Sequence, residues 1–258
     1  MQFKFQNKNI HYKTEGCGEA VVLLHGFLEN LSMWDEIALE LSKSHQVIRL
    51  DFPGFGDSEE LEEVYSIANL ANYTHQLLKE LKVTKYTLIG HSMGGYVATE
   101  LCKIYPKEIE HLILFHSTTK ADSESKKKDR DRAINAVYEK KSVYLKTAIP
   151  FLFPKQHQIS CSIFIKKMIA DAQLLNTNCI ISAIKAMKNR NDNSKVVQGL
   201  NCRKTYLAGS LDPLLAINDL KEEAQNNHAK FIEIKDAGHM SHWENPDQVI
   251  EELKKVMV

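Results

Sequence analysis

Tyr86-Thr87-Leu88-Ile89-Gly90-His91-Ser92-Met93-Gly94-Gly95 is the stretch of this chain that decides its fold. A β-rich apolar run feeds a G-x-S-x-G pentapeptide, and an amphipathic helical pattern follows at once. Strand, tight turn and helix in that order present the Ser92 hydroxyl clear of its own strand. The turn holds the serine in an unfavourable backbone conformation and forces strand and helix close together. Gly90 and Gly94 carry no Cβ and relieve that crowding. The pattern mounts a nucleophile, and Ser92 is its reacting residue.

The segments on either side repeat one rhythm. Residues 2–6 and 9–13 read as two strands joined by the turn-prone Asn7-Lys8. Residues 20–25 form an apolar run bounded by glycines, the mark of a buried strand. Ser32 is expected to cap a helix that runs to about Ser44. Residues 47–51 give a further strand, stopped by Pro53-Gly54. From Ser66 to Lys82, Ile67, Leu70, Ala71, Leu77, Leu78 and Leu81 recur at helical spacing, and the helix after Ser92 ends before Pro106. Residues 109–115, 204–208 and 230–234 are strand-like, the last two each followed by a helix candidate. Strands alternating with helices imply an α/β fold with a mostly parallel, doubly wound sheet covered on both faces.

Residues 118–194 break the rhythm. They are helix-like throughout and are expected to form a helical cap over one end of the sheet, the core being residues 1–117 and 195–258. The insertion opens on the charge-dense Lys126-Lys127-Lys128-Asp129-Arg130-Asp131-Arg132, read as the solvated face of a helix. Its later part is more apolar, and Phe151, Phe153, Phe164 and Met187 are the candidates for lining a substrate pocket.

Composition narrows the classes. At 258 residues the chain suits one α/β domain with an insertion. Lys plus Arg (33) balance Asp plus Glu (33), so nothing favours nucleic acid or an anionic membrane as partner. No apolar run approaches the roughly 20 residues of a membrane span. The N-terminal residues lack the apolar core of a signal peptide. The five cysteines are scattered and odd in number, which fits a reducing, cytoplasmic setting. H-E-x-x-H, clustered Cys/His and G-x-G-x-x-G patterns are absent, so no metal and no other cofactor is expected.

A serine hydroxyl needs a base, and the base needs an orienting carboxylate. His239 in Asp236-Ala237-Gly238-His239 lies just past the last strand, and Asp212 in Gly209-Ser210-Leu211-Asp212-Pro213 lies just past the strand before it. Both positions face the edge where open α/β sheets bind ligands. His242 is the rival base; Asp219 and Asp122 are the rival acids. His25 is read as holding its loop through hydrogen bonds, His91 as structural or pocket wall, Asp51 and Asp57 as braces for their Pro/Gly-rich loop, and Trp34 and Trp243 as packing.

Together, His25-Gly26-Phe27, residues 51–58 with their Pro/Gly turn, the Ser92 turn, Asp212 and Gly238-His239 resemble the α/β-hydrolase superfamily over essentially the whole chain. The likeness is greatest to its small, capped carboxylesterase and C–C hydrolase branch. That resemblance implies Ser92 as nucleophile, His239 as general base, Asp212 as the carboxylate that orients it, and the backbone N–H groups of Phe27 and Met93 as an oxyanion hole. It implies a serine hydrolase cleaving small carboxylic esters through an acyl-enzyme, with a small-molecule acyl substrate as partner. C–C bond or thioester hydrolysis, or lyase chemistry, uses the same triad; a C–C hydrolase or lyase acting on a dicarboxylate would draw on Arg130, Arg132 or Arg190. A non-catalytic small-molecule receptor on the same fold is the alternative of another class.

Overall fold

The apolar run after Glu19 becomes a strand buried at all five residues, β3 (Ala20–Leu24). Side chains alternate across a strand, so Val22 and Leu24 enter one core while Val21 and Leu23 enter a second on the opposite face. A strand that feeds two cores must be apolar at every position, which is why it reads as a run and not as an alternation.

The computed structural model describes residues 1–61 and 65–257. The N-terminal hairpin pairs β1 (Gln2–Phe5) with β2 (Lys8–Glu15). Its turn falls at Gln6-Asn7, one residue earlier than expected; both residues have positive φ (48° and 64°), the geometry that suits a two-residue hairpin loop. β2 pairs antiparallel with β4 (Gln46–Leu50), and β4 pairs in parallel with β3. The parallel sheet continues through β5 (Tyr86–His91), β6 (Ile109–Phe115), β7 (Arg203–Gly209) and β8 (Lys230–Ile234), giving the order β1-β2-β4-β3-β5-β6-β7-β8.

Helices cover both faces. The core around Val21 and Leu23 is closed by α1 (Asp35–Leu41) and by a later helix, Pro246–Met257. The other core is closed by α2 (Ile67–Glu80), whose Ser66 cap accepts from the Asn69 N–H, and by α3 (Met93–Ile104). The expected Ser32 cap is corrected. Asn30, in extended conformation, caps a single 3₁₀ turn (Leu31–Trp34) by accepting from the Ser32 N–H at 2.9 Å, so Ser32 already lies inside the turn. α1 then ends at Leu41, and residues 42–45 leave it through hydrogen bonds back to Ala38, Glu40 and Leu41.

Between β6 and β7 the described residues form helices only: α4 (Glu124–Phe151), bent at Lys140, α5 (Ser162–Leu174), α6 (Thr177–Lys188) and α7 (Ser194–Gln198). Three more follow: α8 (Ile217–Asn226), the short α9 (Ser241–Glu244) and α10 (Pro246–Met257). Among the described residues no helix is long and apolar enough to cross a membrane.

The junction of β5 and α3 presses against β3. A Cβ on Gly94 would strike the Leu24 carbonyl oxygen and come within 2.7 Å of the His25 carbonyl, and a Cβ on Gly90 would strike the Gly94 carbonyl. These are backbone atoms that cannot swing aside. Gly94→Ala is therefore expected to cost about 1–3 kcal/mol through overpacking. Gly199→Ala, where a Cβ meets nothing nearer than 3.5 Å, is expected to stay within about 0.5 kcal/mol of the parent. Urea unfolding of the two variants checks this; equal stabilities would show that the junction is not tightly packed.

Candidate active site

Ser92 follows the last residue of β5 and precedes the first of α3, with φ 50° and ψ −112°. A β-carbon there is unfavourable, and such strain persists only where the surroundings over-determine it. Here the Ser92 N–H donates to Phe115 O at 3.0 Å, and its carbonyl accepts from the Ser117 hydroxyl at 2.8 Å and the Gly95 N–H at 3.0 Å. The strained residue is pinned on both sides.

The neighbouring strands deliver the other groups to the same edge. Asp212, past β7, and His239, past β8, meet at 2.8 Å between Oδ2 and Nδ1, with the carboxylate fully buried. The other oxygen, Oδ1, accepts from the Leu214 and Leu215 N–H groups at 2.8 and 3.1 Å. With Nδ1–H donating to Asp212, His239 turns Nε2 inward, and that atom is buried without a partner among the described residues. Ser92 and His239 both line one cavity of about 670 Å³.

Sequence reasoning missed His116. It follows β6 with φ 48° and donates from Nδ1 to the same Asp212 Oδ2 at 2.8 Å, while the Ser241 hydroxyl lies 2.7 Å from Nε2. Its position just past a central parallel strand was the available signal, since groups at those strand ends converge. Burial would raise the Asp212 pKa, but the charge of His239 and the hydrogen bonds from His239 and His116 outweigh it and hold the carboxyl far below its usual range. Burial pushes His116 itself down to about 4, so it is neutral, as a ring that accepts at Nε2 must be.

Glu29 was also missed. Its Oε2 accepts from the Gly26 N–H at 2.5 Å and faces His91 Nδ1 at 2.9 Å, and His91 Nε2 faces the His239 carbonyl at 2.9 Å. Both His91 nitrogens meet acceptors, so both donate. Burial alone would depress its pKa, but Glu29 raises it. His91 thereby ties the loop after β3 to the backbone of His239. His25 donates from Nδ1 to Gly26 O and accepts the Phe52 N–H at Nε2, bracing that loop against residues 51–58. Asp51 braces it too, through the Leu31 and Asp57 N–H groups and His11. The Glu244 carboxylate accepts from the N–H groups of Gly238 and Met240, gripping the chain on both sides of His239.

The rivals lie elsewhere. His242 is buried with no partner at either nitrogen among the described residues, and burial carries its pKa well down. Asp219 is exposed on α8, and Asp122 is buried against Arg190 and Arg130. Phe27 lines the cavity from the loop after β3, and Met93 is buried as the first residue of α3. Of the four apolar pocket candidates, Phe151 and Met187 line the cavity. Phe153 and Phe164 are instead stacked on Trp243, at 6.4 and 5.2 Å between ring centroids, because they sit on the side turned toward α9. Within residues 126–132, read as a solvated face, Lys126, Lys128, Asp129, Asp131 and Arg132 are exposed, while half-buried Arg130 departs from that reading; Lys126, Asp129 and Arg130 also line the cavity.

Among the described residues, two sets bring ligand-type atoms within 4.8 Å of one another: His116, Asp212 and His239, and His11, Asp51 and Asp57. In each the closeness is that of internal hydrogen bonds, and the central carboxylate is filled by protein donors.

Comparison with known proteins agrees with this fold. The chain resembles the pimeloyl-[acyl-carrier protein] methyl ester esterase of Pseudoalteromonas atlantica, with 35% identity over 109 residues, covering 42% of this chain and 41% of that protein. The match spans less than half the length of the curated relatives. Among solved structures, an esterase from Thermogutta terrifontis with malate bound is 26% identical with a TM-score of 0.91, covering 97% of this chain and 93% of that one. An enol-lactonase from Burkholderia xenovorans LB400 shares the fold at 22% identity and a TM-score of 0.90, covering 100% and 99%. The model of the α/β-hydrolase fold matches residues 19–149, half of the chain, and with the sheet order and the strand-end site already described it makes this chain a member of the α/β-hydrolase family.

Proposed function

We propose that this protein is a serine hydrolase that cleaves carboxylic esters through an acyl-enzyme, with residues 118–194 acting as its cap. The carrying observation is the unpartnered Nε2 of His239, oriented by Asp212 and facing the same cavity as a strained, exposed-side Ser92. The esterases among its relatives support the reading. Its five cysteines are all free, which supports a reducing, cytoplasmic setting.

In this reading His239 Nε2 takes the Ser92 proton as Oγ attacks the ester carbonyl. The negative charge moves to the carbonyl oxygen, which the N–H groups of Met93 and Phe27 receive. The Met93 N–H opens α3, so the helix dipole adds to its pull. The imidazolium gives its proton to the leaving alkoxide as the C–O bond breaks. Water then attacks the acyl-enzyme, His239 taking its proton and returning it to Ser92 Oγ. Asp212 stays ionised throughout, holding the Nδ1–H tautomer.

Ser92→Ala is expected to lower kcat for p-nitrophenyl acetate on the order of 10⁴-fold or more, and Asp212→Asn by about 10⁴-fold with little change in KM. Steady-state kinetics decide, with intact-mass detection of a fluorophosphonate adduct that disappears in Ser92→Ala. Turnover by Ser92→Ala at the parent rate would reject the assignment.

The buried histidines set a pH response in stability. Burial holds His111 and His116 at about 4 in the fold, whereas an unfolded histidine titrates near ~6.5. Between those values the unfolded chain binds more protons, so their stabilisation is complete above pH ~6.5 and is lost as pH falls toward 4. Each contributes a slope of at most about 1.4 kcal/mol per pH unit. His91, raised by Glu29, acts in the opposite sense. Urea unfolding at pH 7, 6 and 5 is expected to show falling stability, with a shallower fall in His116→Asn. A stability that does not change over this range would contradict the neutral assignment.

A further inference from the structure

The wall of the cavity that faces Ser92 carries an excess of positive charge. Asp122 is buried and holds two guanidinium groups: Arg190 Nη1 at 2.6 Å on Oδ1 and Arg130 Nε at 3.0 Å on Oδ2. One carboxylate for two guanidiniums leaves a net charge of +1 in a low-dielectric place. Arg190 also donates from Nε to the Lys120 carbonyl and from Nη1 to the Met187 carbonyl, and lies 3.9 Å over the Tyr96 ring. Arg130 has fewer partners. It uses only Nε, it lines the cavity, and no described residue hydrogen-bonds either of its Nη nitrogens.

The other charges of the lining do not cancel it. The Asp129 carboxylate is taken by Arg132, and Glu29 is taken by His91 and the Gly26 N–H. Lys126, one helical turn before Arg130 on the same face of α4, adds a second cation at the rim with no ion-pair partner among the described residues. The Tyr96 and Tyr144 hydroxyls, also in the lining, have no hydrogen-bond partner among the described residues either. The Arg130 side chain is 26% exposed and lines the cavity, so its unused donors are open to an anionic ligand there.

We propose that the substrate is an ester carrying a carboxylate away from its scissile carbonyl, held by the free Nη pair of Arg130. This rests on the ester-hydrolase reading of Ser92 and specifies its substrate class. The planar guanidinium presents parallel N–H groups that match the two oxygens of a carboxylate. Lys126 at the rim draws the anion inward, and the apolar Phe151 and Met187 lie along the methylene chain. Asp122 keeps Arg190 when Arg130 is replaced, so the fold retains its buried pair.

Kinetics on matched esters test it: monomethyl succinate, glutarate and adipate, and 4-acetoxybutyrate, against neutral methyl butyrate, methyl valerate and butyl acetate. At least one anionic ester is expected to exceed its neutral counterpart in kcat/KM. Arg130→Gln is expected to lower that ratio about 10–100-fold, the usual worth of a hydrogen bond to a charged group. Arg130→Lys should fall between, and Lys128→Gln, on the outer face of the same helix, should leave the ratio as it was. No anionic preference in the parent, or a preference that survives Arg130→Gln, overturns the proposal. Calorimetric binding of succinate, glutarate and adipate to Ser92→Ala, with and without Arg130→Gln, separates the two readings. Binding that needs Arg130, found together with a parent protein that turns over none of the esters, would reject the hydrolase reading and keep the anion subsite. Binding indifferent to Arg130 would reject the subsite alone.

Discussion

The close approach of the β5–α3 junction to the backbone of β3 is the constraint on which the site depends. Ser92 occupies a conformation that costs of order 1–3 kcal/mol for a residue with a β-carbon. It stays there because α3 is buried at every position from Met93 to Cys102, so the helix cannot slide to relieve it. Gly94 lets the helix touch the Leu24 and His25 carbonyls. The same contact sets where the loop after β3 begins, and therefore where Phe27 stands relative to Ser92. One steric requirement thus aligns Ser92, the proposed nucleophile, with the loop that carries Phe27.

Around this junction, buried carboxylates do the positioning. Asp212 takes two imidazoles on Oδ2 and two backbone N–H groups on Oδ1, a set that leaves it neither free to rotate nor easily protonated. Glu29 and Glu244 each grip a loop through its N–H groups, and His91 links the first loop to the carbonyl of His239. Asp212 is buried with donors on both oxygens, the condition under which a buried ion becomes a rigid fixture. In the Arg190–Asp122–Arg130 cluster two guanidiniums share one carboxylate, and Arg130 lines the cavity.

The strands, their parallel order and the Ser92, Asp212 and His239 positions were legible because each depends on a local pattern. Residues 20–24 had to be continuous apolar to serve two cores, and Gly90 and Gly94 had to flank the serine. What escaped depends on contacts distant in sequence. His116 meets Asp212 across 96 residues and Glu29 meets His91 across 62, and no spacing rule joins such pairs. The Asn30 cap escaped for a different reason. Asn30 and Ser32 are both good N-caps two positions apart, and only the backbone of Asn30, extended at φ −148° and ψ 177°, lets its side chain fold back onto the turn.

The charged opening of α4 shows how a helix hides its inner face. Lys126, Arg130, Ala133 and Val137 follow one another at spacings of four, three and four, a single stripe of the helix. Val137 is fully buried, and Lys126, Arg130 and Ala133 all line the cavity. Composition averaged over residues 126–132 sees only charge and predicts solvent. Phase, extended backward from the apolar end of the stripe, points Arg130 inward. On the proposed reading, the strand ends carry the groups that attack the ester, whereas the α4 stripe meets the part of the substrate that does not react. Selectivity then rests on helix phase within residues 118–194, and chemistry on strand ends in the core.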